Sequence, residues 1–291
     1  MSRTLILGGS GCLGSSITAE MRRLGSQVIS TTQRIAQEKD SCFKVFRVGD
    51  EITSFLEEHR VNLVINCIGA RPQKGFTFKN TTQLFTVNSL FPRNLMVQAS
   101  RIGVRVIHIS TDGVFSGRAE GAYTESAKPL PINSYSLSKL IGEPNHELGS
   151  TIRLSFVPAS FQRALHYKQV KWITDSSNEV KSFGYTNIYW NGLTDLVAGR
   201  LIAGIANSSK LVASLPKVTH LYSSEVISKY ELSLKLLKNY GIPKDQIQPM
   251  AKILSRRHTL SSTYPNLLSR IWKTIGFDYI PSISELLEQN S

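Results

Sequence analysis

The sequence contains little cysteine and no long apolar run, and both absences exclude classes of protein. Its 291 residues include three cysteines, Cys12, Cys42 and Cys67, without the spacing of a metal site. An odd count favours reduced thiols over a disulfide-stapled secreted fold. No stretch approaches the roughly 18 apolar residues of a membrane-spanning helix, and the apolar run near the start is too short for a secretion signal. We therefore expect a cytoplasmic protein with no metal site and no membrane partner.

A long basic tract is also absent, although the formal net charge is +13. Lysine and arginine are scattered, with short clusters such as Arg256-Arg257, and no nucleic-acid-binding motif is present. A basic surface raises the local concentration of anionic partners. The pattern therefore favours phosphate-bearing small molecules over nucleic acid as partners.

The chain opens with the pattern of a dinucleotide-binding unit. An apolar run over residues 3–8 leads into a glycine-rich turn and then into apolar residues at helical spacing. A strand, a glycine turn and a helix in this order can hold a pyrophosphate at the amides of the helix N-terminus. The residues predicted to contact the cofactor here are Gly8, Ser10, Gly11, Cys12, Leu13 and Gly14.

The end of a second strand, predicted within residues 25–34, indicates which cofactor is bound. An NAD site has an acidic residue there, which accepts hydrogen bonds from the adenosine ribose. This chain has Thr31, Thr32 and Arg34 instead, and they suit a 2′-phosphate. We therefore favour NADPH and leave NADH open. The alternative for Arg34 is that it only opens the next segment.

Three further cofactor contacts are predicted at strand ends. Asp50 closes a predicted strand over residues 43–48, while Cys67 and Gly69 follow one over residues 61–66. Ligands of open α/β sheets bind at the carboxyl ends of the strands, which is why these positions are expected beside the cofactor. Asp50 is equally suited to cap a helix N-terminus.

Alternating strand and helix patterns predict an α/β fold, a Rossmann-type doubly wound parallel sheet with a smaller C-terminal α/β substrate-binding lobe. We place the NAD(P)-binding domain in residues 1–158 and the lobe in residues 159–291, with elements interleaved between them. Within the lobe, residues 187–206 are predicted to be helical, and residues 162–183 are predicted to fold over the substrate.

Tyr135 and Lys139 form the predicted catalytic pair. Four residues apart on a helix, they lie on one face. An isolated tyrosine has a pKa of about 10, and a neighbouring cation such as Lys139 would lower it. Thr111 follows an apolar run over residues 104–109 and would lie at a strand end beside them. Such pairs also occur on solvated helix faces, so the spacing alone is weak evidence.

Three motifs carry a resemblance to a known family. They are the glycine turn, STDGVFSG over residues 110–117 and NSYSLSKLIGE over residues 133–143. They resemble the extended short-chain dehydrogenase/reductases, and most of all the dTDP-4-dehydrorhamnose reductase group. The resemblance implies that Thr111, Tyr135 and Lys139 are catalytic and that Tyr135 and Lys139 also hold the cofactor. It further implies a nucleotide-sugar substrate, for which we select Asp112 and Asn88 as contacts.

The predicted reaction is NADPH-dependent reduction of a keto group, at C4, on a nucleotide-activated deoxysugar in polysaccharide or glycoside biosynthesis. Tyr135 would protonate the oxygen, Thr111 would orient it, and Lys139 would lower the pKa of the phenol. Two alternatives stay open: a nucleotide-sugar epimerase or dehydratase, and a non-catalytic NADP-binding regulatory subunit. A homodimer is compatible with each of these.

Overall fold

A seven-stranded sheet forms the centre of the structure, a computed structural model that describes residues 3–33, 43–72, 77–166 and 182–288. The strands of the first half are β1 (Arg3–Leu7), β2 (Gln27–Thr32), β3 (Phe43–Val45), β4 (Leu63–Asn66), β5 (Arg105–Ser110), β6 (Gly149–Arg153) and β7 (Phe156–Val157). The helices of that half are α1 (Cys12–Arg23), α2 (Thr53–Glu58), α3 (Phe78–Phe85), α4 (Phe91–Arg101) and α5 (Ser134–Gly142).

The second half contributes shorter strands and the remaining helices. Its helices are α6 (Phe161–His166), α7 (Asp195–Ala206), α8 (Ser209–Ser214), α9 (Lys229–Asn239), α10 (Pro265–Lys273) and α11 (Ile283–Glu288). Its strands are β8 (Ser182–Tyr185), β9 (Ile188–Trp190), β10 (Leu193–Thr194), β11 (Val218–His220), β12 (Ile227–Ser228), β13 (Ile247–Met250) and β14 (Arg256–His258).

The central sheet has the strand order β11-β6-β5-β4-β1-β2-β3, and all its pairs are parallel. The predicted doubly wound parallel sheet is therefore confirmed. The strand order reverses between β1 and β4, and a crevice forms at the carboxyl ends of the strands at such a point. Leu5, Ile6 and Leu7 of β1 are fully buried, as expected for a strand covered on both faces.

The predicted helix over residues 187–206 is wrong in its first part. Residues 188–190 and 193–194 are strands, and α7 begins at Asp195, where the hydroxyl of Thr194 accepts the Val197 N–H at 3.3 Å. Strand β9 pairs with β12 and β14, which lie far away in the sequence. Local periodicity carries no information about such partners.

Elements of the second half complete the central sheet. Strand β11 extends it by pairing with β6, and α7 packs along α1. A Cβ on Gly199 of α7 would lie 2.6 Å from the Cβ of Ser16, so the two helices are in close contact. The division of the chain at residue 158 stays a prediction.

Most of the segment predicted to fold over the substrate, residues 167–181, lies outside the described residues. Within the described part of the chain, no helix is both long and apolar enough to cross a membrane. The same part of the chain contains no group of three or more His, Cys, Asp or Glu side chains that could hold a metal ion.

Candidate active site

Two adjoining cavities lie at the carboxyl ends of the central strands. The glycine-turn cavity, of about 680 Å³, has a lining that includes Gly8, Ser10, Gly11, Thr31, Thr32 and Arg47. The tyrosine cavity, of about 410 Å³, has a lining that includes Gly11, Cys12, Leu13, Gly14, Thr111, Tyr135 and Lys139. Both cavities are also lined by Cys67, Gly69 and Arg71. The predicted cofactor residues and the predicted catalytic residues therefore meet along shared walls.

The glycine turn is shaped to receive an anionic group at the start of α1. Gly8 has a φ of +78°, which glycine adopts without strain. A Cβ on Gly14 would lie 2.2 Å from the Gly8 carbonyl oxygen, so α1 starts this close to β1 because residue 14 is glycine. No side chain of the described residues caps the N-terminus of α1 at Gly11. The free amides there fit the pyrophosphate of a dinucleotide.

The thiols of Cys12 and Cys67 are unreactive in this setting. The Cys12 thiol donates a hydrogen bond to Asp195 of α7 at 3.1 Å, and burial together with that carboxylate raises its pKa. Asp195 also pairs with the Arg163 guanidinium at 2.5 Å. Burial raises the pKa of the Cys67 thiol to about 12, although the charge of Lys139 lowers it. Both side chains are therefore neutral thiols at physiological pH.

The outer end of the glycine-turn cavity differs from the prediction at Asp50. This residue is not in the cavity lining. Its carboxylate accepts the Arg47 N–H at 2.7 Å, and its own N–H donates to the Arg47 carbonyl at 3.0 Å, which closes a turn. Ile52 occupies the N-cap position of α2, and the carboxylate of Glu51 accepts the Thr53 N–H at 2.6 Å, so Asp50 does not cap this helix. Arg34 lies outside the described residues.

The three predicted catalytic residues line one cavity. Tyr135 and Lys139 share a face of α5, which begins after Asn133, whose side chain accepts the Ser136 N–H at 2.8 Å. Thr111 follows β5 and donates a hydrogen bond to Asp112 at 3.0 Å. Its hydroxyl also lies in the tyrosine cavity lining, where rotation would let it donate to a ligand oxygen.

Lys139 is a buried cation held by the backbone of β5. Its side chain is 5% exposed, and Nζ donates to the Ile109 carbonyl at 2.6 Å. Nζ also lies 3.4 Å from Nε2 of His108, whose pKa is lowered well below its usual value by burial. Burial lowers the pKa of Lys139 to about 8, while the charge of Glu143 acts to raise it. At neutral pH the Lys139 side chain therefore largely carries its positive charge.

The pKa of Tyr135 is raised rather than lowered, which corrects the predicted effect of Lys139. Burial of the phenol is the main cause; the charge of Arg71 acts to lower the pKa, and that of Asp112 acts to raise it. The ammonium of Lys139 is engaged by the Ile109 carbonyl. Tyr135 is therefore a protonated phenol at neutral pH, and the cation that favours its ionised form is Arg71.

The two residues selected as substrate contacts are tied into the fold and line neither cavity. Asp112 is 8% exposed and accepts a hydrogen bond from Ser155 at 2.7 Å. Asn88 is fully buried; its amide accepts the Ala70 N–H at 2.8 Å and donates to the Ala70 carbonyl and to the Ser138 hydroxyl, each at 3.0 Å. Since these groups are already paired, Asn88 and Asp112 position the site and do not form its surface.

Two arginines in the lining were not predicted. Arg47 follows β3, and Arg71 follows β4. Among the described residues, the lining of the glycine-turn cavity contains these two charged side chains and no carboxylate. The available signal was their position at strand ends, where ligands bind. Arg47 was missed because the predicted strand over residues 43–48 placed it inside the strand.

Comparison with known proteins identifies the family. Residues 2–289 match the family model of the RmlD substrate binding domain. The dTDP-4-dehydrorhamnose reductase of Mycobacterium tuberculosis is 24% identical over 294 residues, which cover 94% of this chain and 87% of that protein. Methionine adenosyltransferase 2 subunit beta of Xenopus laevis is 21% identical over 257 residues, 85% of this chain and 75% of that protein.

A solved structure shares the fold over the whole chain. The dTDP-4-dehydrorhamnose reductase of Bacillus anthracis, in complex with NADP, superposes with a TM-score of 0.74 at 19% identity, covering 99% of this chain and 97% of that one. An identity of 19% supports a shared fold only. The family assignment comes from the family model, which matches residues 2–289. The chain therefore belongs to the RmlD substrate binding domain family, the dTDP-4-dehydrorhamnose reductase-like group of extended short-chain dehydrogenase/reductases that its motifs predict.

Proposed function

We propose that the protein reduces a keto group on a nucleotide-activated sugar with NADPH. One observation carries the proposal: Thr111, Tyr135 and Lys139 line a cavity that shares its walls with the glycine-turn cavity. A dinucleotide held at the N-terminus of α1 therefore has its reactive end next to the phenol. The relative from Mycobacterium tuberculosis, named as a reductase of this kind, supports the substrate class.

NADPH, when bound, supplies the hydride for the carbonyl carbon. The residues of the chain would hold it: the uncapped N–H groups at the start of α1 would receive the pyrophosphate, and Lys139 is placed to bind hydroxyls of the nicotinamide ribose. The Ile109 carbonyl and the neutral His108 fix the ammonium from behind. This anchoring lets Lys139 donate to a ribose with little loss of side-chain entropy.

Tyr135 provides the proton. The raised pKa of Tyr135 keeps the phenol protonated at neutral pH, so it acts as a general acid toward the developing alkoxide. Thr111 donates a second hydrogen bond to the same oxygen when its hydroxyl rotates away from Asp112. Arg71 then stabilises the phenolate that remains after proton transfer, since its charge favours the ionised form.

The finer assignment is a C4 keto group on a deoxysugar that is built into a polysaccharide or glycoside. A nucleotide-sugar epimerase or dehydratase is the nearest rival, because the same cofactor and the same pair of Tyr135 and Lys139 serve those reactions. They begin with oxidation of a hydroxyl, with the tyrosine as the base, and return the hydride to the sugar, so they consume no NADPH. We place the reaction in the cytoplasm, and sedimentation would show whether the homodimer forms.

The experiment follows NADPH absorbance with a panel of sugar nucleotides. Some members carry a keto group, such as the 4-keto-6-deoxy sugars, and the others carry a hydroxyl at the same position. We expect stoichiometric oxidation of NADPH with a 4-keto sugar and a reduced sugar in equal amount. Interconversion of a hydroxyl sugar in a parallel assay with NAD⁺ or NADP⁺, with no net change in the cofactor, would show the epimerase chemistry instead.

A regulatory subunit is the second candidate, because one relative is named as a subunit of methionine adenosyltransferase. Such a protein would bind NADPH, leave every sugar nucleotide of the panel unchanged and co-purify with a catalytic partner. Turnover of any member of the panel by the isolated chain rejects this candidate.

A further inference from the structure

We propose that Arg47 binds the 2′-phosphate of NADPH and thereby selects this cofactor over NADH. The inference rests on the NADPH chemistry proposed above and adds the residue that reads the cofactor's distinguishing group. Arg47 lines the glycine-turn cavity and does not line the tyrosine cavity, to which Tyr135 belongs.

The pairing of β2 with β3 places Arg47 at the required point. Thr32 is the register partner of Val45, and the Phe46 N–H donates to the Thr32 carbonyl at 2.9 Å. Arg47 therefore follows β3 beside Gln33, which follows β2, and both residues line the cavity. The end of β2 is where a dinucleotide-binding sheet meets the adenosine ribose and its 2′ substituent.

The backbone of Arg47 is fixed before any ligand arrives. Asp50 accepts the Arg47 N–H at 2.7 Å and returns a hydrogen bond to the Arg47 carbonyl at 3.0 Å. Phe46, the preceding residue, is 4% exposed and packs into the core. The turn thus presents the guanidinium from a held backbone, so binding requires the ordering of one side chain only.

The surrounding groups favour an anion. Within the described lining there is no carboxylate that could accept the ribose hydroxyls of NADH. The hydroxyl of Thr31 accepts the Gly8 N–H at 3.1 Å and lies 3.3 Å from the Ile6 carbonyl, so it supports the glycine turn instead of a phosphate. A guanidinium offers two parallel N–H groups to a phosphate, which is the strongest polar contact available at this end.

The test measures cofactor affinity without substrate, by fluorescence titration of NADPH and NADH and by competition with 2′-AMP and 5′-AMP. Arg47→Ala should raise the Kd of NADPH and of 2′-AMP by about 10- to 100-fold, as expected for loss of charge-assisted hydrogen bonds. The Kd of NADH and of 5′-AMP should change by less than about twofold. Arg47→Lys should recover part of the loss.

Lys44→Ala is the matched control, because Lys44 is an exposed cation on β3, the strand that Arg47 follows, and it does not line the cavity. It should leave both affinities unchanged. If Arg47→Ala weakened the binding of NADPH and of NADH equally, Arg47 would contact the adenine. If Arg47→Ala left NADPH binding unchanged and Arg34→Ala alone weakened it, the phosphate would be assigned to Arg34. Either result overturns the proposal. Failure of the wild-type chain to bind NADPH would instead refute the proposed function itself.

Discussion

Replacing Lys139 by methionine should remove a pH dependence of stability that the buried ammonium imposes. Burial lowers the pKa of Lys139 to about 8 from its ordinary 10.5. The unfolded chain therefore holds this proton more tightly than the folded one, and the contribution of Lys139 to stability rises with pH between about 8 and 10.5. A difference of about 2.5 pKa units corresponds to about 3 kcal/mol. Methionine has no such proton.

The assay is urea unfolding of the wild-type chain and Lys139→Met between pH 7 and pH 10. Titrating groups that do not contact Lys139 act equally in both proteins, so the difference in the free energy of unfolding reports Lys139 together with its coupling to Cys67 and His108. We expect the wild-type chain to gain about 2 to 3 kcal/mol relative to the variant across this range. A difference that stays constant with pH would show that Lys139 keeps an ordinary pKa, and that the buried cation described here does not exist.

Two substitutions test the other parts of the site. Arg71→Met should lower kcat at neutral pH by about tenfold, because it removes the charge that lowers the pKa of Tyr135, and Arg71→Lys should restore most of the rate. Equal losses in both variants would contradict a role of the charge. Gly14→Ala places a Cβ 2.2 Å from the Gly8 carbonyl oxygen. It should lower the free energy of unfolding, measured by thermal unfolding, by about 1 to 3 kcal/mol and weaken NADPH binding. Gly121→Ala, which has open space around the new Cβ, should change neither.

The central sheet and the meeting of Thr111, Tyr135 and Lys139 in one cavity could be predicted because local signals encode them. Apolar runs that end in glycine mark β1 and β4, and the order of glycine turn, Thr111, Tyr135 and Lys139 places them at one edge of a parallel sheet. These features depend on the period of the pattern and on chain order. Neither requires knowledge of distant contacts.

The remaining features depend on contacts between distant residues. Strand β9 exists because β12 and β14 pair with it. The raised pKa of Tyr135 follows from burial, which a spacing of four residues cannot reveal. Asn88 carries a polar amide for which a ligand or the backbone can be the partner, and here the partner is the backbone of Ala70, 18 residues away in the chain. Tertiary packing decided each of these outcomes.

The most direct test of the account compares the wild-type chain with Tyr135→Phe in a single turnover, with NADPH prebound and the 4-keto nucleotide sugar added. Phenylalanine keeps the ring and removes the hydroxyl, so NADPH should still bind while the rate of its oxidation falls by about 100-fold or more. Oxidation of NADPH by Tyr135→Phe at the wild-type rate would contradict the claim that the phenol of Tyr135 is the proton donor.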